Sequence, residues 1–238
     1  MTDESFIISV SGSNSNLKAT FFPPIELNPE KNYVIGFCSL HTWNSIPNIY
    51  SKNNSIDFKY GDTSKKTITL PIGTYELDDL AEQLRILCAR EGIHFSLIGN
   101  ENTLKCTIRS ENYDIDFKEG KNSIRDLLGF EPDVYRKGIS HVAQNILRIF
   151  HVNTIKVECS IASGSFFNDR SVHTLHEFFP KCPATYKIIE DVNQIIYIPI
   201  TDNKKSIDHI EFTLVDQNGD LVDFRNETIC LRAHIKAA

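Results

Sequence analysis

Two histidines and a glutamate in SVHTLHEFF, namely His173, His176 and Glu177, are the best-suited metal ligands of this 238-residue chain. Imidazoles joined by a carboxylate bind transition metals when they converge. The spacing works against it. On a strand, positions three apart face opposite sides, so 173 and 176 would share an ion only on a helix or a turn. Ser-Gly-Ser occurs at Ser11-Gly12-Ser13 and at Ser163-Gly164-Ser165, but neither has the G-x-S-x-G frame of a nucleophile elbow, and both read as loop tips. Cys38 and His41 are near in sequence, whereas a catalytic thiol–imidazole pair needs nearness in space. Within VIGFCSL, Cys38 reads as a small core residue. Asp78 and Asp79 read as charges at the start of a helix rather than as an acid–base pair. Asp216, Asp220 and Asp223 surround a turn without the spacing of a calcium loop. The 11 glycines are scattered, and no G-x-x-x-x-G-K phosphate loop occurs. No catalytic, cofactor-binding or metal-binding residues are therefore expected, and the chain reads as a non-enzyme that uses no cofactor.

The elements that would carry these residues are mostly strands. Candidates are Phe6–Val10, Leu17–Phe22, Tyr33–Trp43, Ile56–Tyr60, Val152–Ile161, Val172–Phe178, Tyr186–Ile200, Ile207–Val215 and Thr228–Ile235. In Ile155, Val157, Cys159 and Ile161 every second residue is apolar, as are Ile229, Leu231, Ala233 and Ile235. That period of two marks half-buried strands. Asn218-Gly219, between Phe212–Val215 and Leu221–Phe224, suits a type I′ hairpin, which needs positive φ at both central residues.

The middle of the chain changes period. In TYELDDLAEQLRILCAR, Leu77, Leu80, Ala81, Leu84, Leu87 and Cys88 form one helical stripe over Thr74–Arg90, with Thr74 as N-cap and Gly92 as stop. A strand pair, His94–Ile98 with Thr103–Arg109, then a strand Tyr113–Phe117 and a short helix ended by Gly129 follow. The chain thus reads as mainly β: residues 1–64 and 136–238 form an antiparallel β-sandwich, a single jelly roll, and 65–135 form a small α+β insertion domain. An immunoglobulin-like sandwich is the other arrangement of so many strands. Trp43 follows Cys38, but no second cysteine sits on a matched strand nearby.

Composition bounds the function. At 41% hydrophobic and 24% charged, the chain is neither disordered nor fibrous. A net charge of -6 and no basic run disfavour direct nucleic-acid binding. No apolar run is long enough for a signal peptide or a membrane span. The six cysteines form no C-x-x-C pair and read as free thiols of a reducing compartment. Phe166-Phe167 and Phe178-Phe179 are adjacent pairs: on a strand each should turn one ring outward, where it suits a subunit contact, whereas a loop would fold the rings back into the core, and the residues do not choose between the two.

Several stretches resemble one family. LPIGTYELDDLAEQL (Leu70–Leu84), the strand pair after it and NSIRDLLGF (Asn122–Phe130) look like a module of viral structural proteins. VNTIKVECSIASGSFFNDRSVHTLHEFFP (Val152–Pro180), YKIIEDVNQIIYIPI (Tyr186–Ile200) and IEFTLVDQNGDLVDFRNETICLRAHIK (Ile210–Lys236) resemble the minor capsid, or penton, proteins of Maverick/Polinton elements and adintoviruses. The resemblance implies a single jelly roll. It also implies a homopentamer at the five-fold vertices of an icosahedral virion capsid, beside a double jelly-roll major capsid protein, with no catalytic residues. The two other functions weighed are a host-attachment or glycan-binding β-sandwich, and a cupin-like metal enzyme built on His173, His176 and Glu177.

Overall fold

The computed structural model describes residues 4–61, 64–149, 152–183, 185–201 and 205–238. The chain first forms β1 (Ser5–Gly12), β2 (Asn16–Glu26) and β3 (Tyr33–Trp43). It continues through β4 (Ser55–Tyr60), β5 (Ser64–Thr69), α1 (Leu77–Arg90), β6 (Phe95–Asn100), β7 (Lys105–Ser110) and β8 (Asp114–Asp116). Then come α2 (Arg125–Leu128), β9 (Val134–Tyr135) and β10 (Ser140–Val142). The last part is β11 (Ile155–Cys159), β12 (Ser165–Phe167), β13 (Arg170–Val172), β14 (Thr174–Phe178), β15 (Lys187–Asp191), β16 (Tyr197–Pro199), β17 (Ser206–Val215) and β18 (Ile229–Ala237).

Two compact units result: residues 1–46 with 152–238, and residues 47–151. The expected domain limits at 65 and 135 fall inside the second unit. The reason is pairing: β4 is bonded to β5 and β8, and β10 is bonded to β7, so both flanks belong to the same sheets as the middle.

In the first unit, one sheet runs β1-β18-β3-β15 with β16 also on β3, and the other runs β14-β11-β17-β2. All of these pairings are antiparallel. Ile229, Leu231, Ala233 and Ile235 of β18 and Ile155, Val157 and Cys159 of β11 point into one core, as their alternation requires. Strand β3 keeps this phase only as far as Phe37. Phe37 pairs with Ala233 and Ser39 with Arg232, so Cys38 is the extra residue of a β-bulge. The bulge shifts the phase by one: Leu40 becomes buried, and Ser39, His41 and Trp43 turn to the outer face.

The long strands expected at 152–161 and 186–200 are shorter. Tyr186–Ile200 splits into β15 and β16, both on β3, because Asp191 ends the first pairing and Tyr197 begins the second. The turn at 216–220 is not type I′. Asp216 Oδ1 accepts the N–H groups of Asn218 (2.8 Å) and Asp220 (3.0 Å), and Gly219 N–H bonds to Asp216 O at 3.1 Å. A carboxylate at the turn's centre thus removes the need for positive φ at Asn218, and Gly219 alone has it, at φ 89°.

The second unit has two antiparallel sheets, β5-β4-β8-β9 and β10-β7-β6, with α1 packed on β6. Leu80, Leu84 and Cys88 bury the predicted stripe. The helix begins at Leu77 rather than after Thr74, because the Asn48 side chain bonds both the N–H (2.9 Å) and the C=O (2.7 Å) of Tyr75 and holds that residue outside the helix. Its end is a Schellman motif: Ile93 N–H bonds to Cys88 O (2.9 Å), Gly92 N–H bonds to Ala89 O (3.0 Å), and Gly92 sits at φ 70°. Nothing lies within 4 Å of where a Gly92 Cβ would stand. Gly92→Ala is therefore expected to cost about 1 kcal/mol, the left-handed backbone penalty alone. Urea titration monitored by circular dichroism measures it. Among the described residues, no helix is long and apolar enough to cross a membrane.

Candidate functional site

The structure separates the three residues first considered as metal ligands. His173 lies between β13 and β14, and its Nδ1–H donates to Ala162 O at 2.7 Å. His176 faces the core side of β14, opposite Val157, and donates through Nε2 to Glu190 Oε1 at 2.9 Å. Its ring stacks on Phe37, with centroids 4.4 Å apart and planes within 5°. Glu177 is exposed and faces the other side, in register with Lys156. His176 and Glu190 stand on the edge strands β14 and β15 of different sheets, so the bond ties the two layers together. Among the described residues, no three His, Cys, Asp or Glu side chains converge as metal ligands.

The other sequence candidates do structural work. Ser163 and Ser165 bond to the carbonyls of Pro199 (3.3 Å) and Thr174 (2.6 Å). Asp78 and Asp79 occupy the first turn of α1. Cys38, half-buried at the bulge, has its thiol pushed up by burial, against the pull of the nearby Arg232 charge. Burial alone pushes the Cys88 thiol up to about 12 and that of Cys106 to about 11, which makes both inert at neutral pH. In the second unit, an open groove of about 580 Å³ is lined by Leu77, Ile98, Leu104 and Leu147 with Glu76 and Glu101, and no imidazole or thiol reaches it.

The first unit instead presents aromatic surface. Phe178 is buried and Phe179 exposed, as the pair on a strand requires. Phe166 and Phe167 are both exposed. They sit on the β12–β13 hairpin, which belongs to neither large sheet, and the Lys156 ammonium lies 3.7 Å from the Phe167 ring centre. Phe22 is 100% exposed. It lies on the sheet-edge strand β2, in a stretch of β2 that bulges away from β17 between Thr20 and Ile25. The sequence signal for Phe22 is FFPP: proline cannot donate to a ladder, so these residues suit only an edge. Solvated rings on edges and hairpins suit contact with another protein.

No protein-family model matches the chain, and no curated protein matches it. Among solved structures, the crystal structure of a selenomethionine-labelled mavirus penton protein has a similar fold, with a TM-score of 0.50 at 13% identity. The match covers 99% of this chain and 100% of that one.

Proposed function

We propose that this chain is a non-enzymatic minor capsid protein of penton type, forming homopentamers at the five-fold vertices of an icosahedral capsid. The observation that carries the proposal is the likeness of fold over the whole chain to the mavirus penton protein. The strand order supports the finer reading of a single jelly roll. With the eight main strands numbered in chain order, the sheets run 1-8-3-6 and 5-4-7-2, so successive strands fall in opposite sheets except the fourth and fifth, which pair within one, in the jelly-roll manner. On this reading, residues 47–151 are an insertion between the third and fourth of these strands. The stretches that resemble Maverick/Polinton and adintovirus pentons suggest the same role. They suggest a double jelly-roll major capsid protein as the neighbour and the virion as location.

A cyclic pentamer needs a heterologous contact, in which one patch meets a different patch on the next copy and the rotation closes. Exposed rings on β2 and on the β12–β13 hairpin supply two such patches. Sedimentation of the purified protein over a concentration series is expected to give a species of five times the 27.1 kDa chain mass, with five-fold rings in negative-stain averages. A strict monomer at every concentration overturns the pentamer.

A further inference from the structure

We infer that the open groove of the second unit binds an extended, basic segment of another protein by adding it as a strand beside β6. The sheet order is β10-β7-β6, so β7 bonds one side of β6 and, among the described residues, no strand bonds the other. An uncovered edge presents backbone N–H and C=O groups that pair readily with a further chain. Leu97 and Ile98 point to opposite faces of β6, one buried and one exposed, yet both line the groove. The groove therefore follows the edge of the strand and not one face. Its volume of about 580 Å³ lies within the range of ligand clefts.

The walls of the groove are apolar. Leu77 lies so close over β6 that a Cβ at Gly99 would stand 2.2 Å from Leu77 Cδ2. Ile98 is 64% exposed and Leu104 59%. Leu104 also holds φ 55°, a left-handed backbone that disfavours leucine and suits glycine or asparagine. The fold alone thus prefers a smaller residue at 104, and the leucine instead brings apolar surface to the groove.

The rim is acidic. Glu76, Asp78 and Glu101 line the groove, and none of them makes an ion pair among the described residues. Lys105, the cation of the lining, is held by Gln144 O at 2.7 Å. The α1 dipole gives Glu76 and Asp78 a place without any ligand. Glu101 stands in the turn between β6 and β7 and has no such reason. Carboxylates above apolar walls complement a strand that carries lysine or arginine beside apolar residues, and they repel an acidic one. The inference is independent of the capsid reading, so either can fail without the other.

The test uses the folded full-length chain and a fluorescein-labelled peptide, Lys-Val-Lys-Val-Thr-Lys, read by fluorescence anisotropy. Saturable binding is expected, and the counterpart with glutamate for each lysine should not bind. A peptide with proline for its central valine should bind about tenfold more weakly, because proline cannot donate to a ladder. Glu76→Gln with Glu101→Gln should weaken the basic peptide about fivefold and flatten its salt dependence. Leu104→Gly relieves the left-handed backbone, so the urea midpoint should hold or rise while binding falls about tenfold. Ile98→Thr keeps a β-branched residue on the strand and should also weaken binding, which gives a second readout where Leu104→Gly lowers the midpoint. The inference is overturned if the basic peptide does not bind at millimolar concentration, if the proline peptide binds equally well, or if folded Leu104→Gly and Ile98→Thr bind as the native chain does.

Discussion

Lys59→Met is expected to destabilise the protein by about 3 kcal/mol at neutral pH, the lower end of what breaking a buried ion pair costs. The reason is Asp116, whose side chain is 0% exposed and whose Oδ2 lies 2.6 Å from Lys59 Nζ. Asp116 pairs in register with Asp57, so two buried carboxylates face the same side of adjacent strands. Each has its own cation. Lys65 Nζ lies 2.9 Å from Asp57 Oδ2, and Thr67 Oγ1–H also donates to Asp57 Oδ1 at 2.6 Å. Asp116 Oδ1 accepts the Lys118 N–H at 2.9 Å, whereas its Oδ2 has the Lys59 charge but no donor at a hydrogen-bonding angle. Methionine keeps the aliphatic stem of Lys59 and removes only the charge. Lys59 is about one-third exposed, so water screens part of the loss, which is why the estimate sits low in the range.

The pH dependence separates this explanation from lost packing. Burial alone would raise the Asp116 carboxyl, but the Lys59 ammonium and the Lys118 N–H outweigh it and hold the carboxyl below the ordinary aspartate value. A carboxyl lowered in the folded state stabilises at pH above its unfolded value, about 3.9. That stability is lost as the pH falls through the lowered folded value. Without Lys59 the desolvation dominates and Asp116 titrates upward, so the Lys59→Met penalty should shrink between pH 7 and 4.5. Urea midpoints at the two pH values measure this. Lys59→Met with Asp116→Asn should recover most of the loss at pH 7, and a double variant no more stable than the single one would reject the ion-pair account.

None of this buried carboxylate pair was legible in the chain, because it depends on which strands become neighbours. Asp57 and Asp116 are far apart in sequence, and the β4–β8 register brings them together. What alternation carries is the face of a strand: β18 and β11 turned inward at the residues the pattern named. What it does not carry is an interruption of its own period. The bulge at Cys38 reverses the second half of β3, and only the register with β18 reveals it. Cys38 is near His41 in sequence, but the cysteine directly across the sheet from His41 is Cys230. His173, His176 and Glu177 show the same rule with the opposite outcome. Their strand spacing argued against a shared ion, and the structure sends each to a different partner. Short elements were the least visible. Two- and three-residue strands such as β9, β12 and β13 offer too few positions for a period to show.

Gly129→Ala should cost about 3 kcal/mol, well beyond Gly92→Ala, although both glycines end helices at positive φ. Gly129 ends α2 at φ 80° and ψ 22°, so an alanine there pays the same left-handed penalty of about 1 kcal/mol. The difference is space. A Cβ at 129 would stand 2.4 Å from Asn145 O and 2.9 Å from Ile146 O, both backbone atoms that no rotamer change can move. The segment at 145–148 would have to retreat, and it is bonded to the helix end. Asn145 N–H bonds to Gly129 O (2.9 Å), and Arg148 N–H bonds to Leu127 O (2.8 Å). Losing both at about 1 kcal/mol each, on top of the backbone penalty, gives the estimate. The same urea series on the two variants compares them directly: equal losses would mean that the 145–148 segment yields freely, and a larger loss at 129 means that this close backbone approach holds α2 in place.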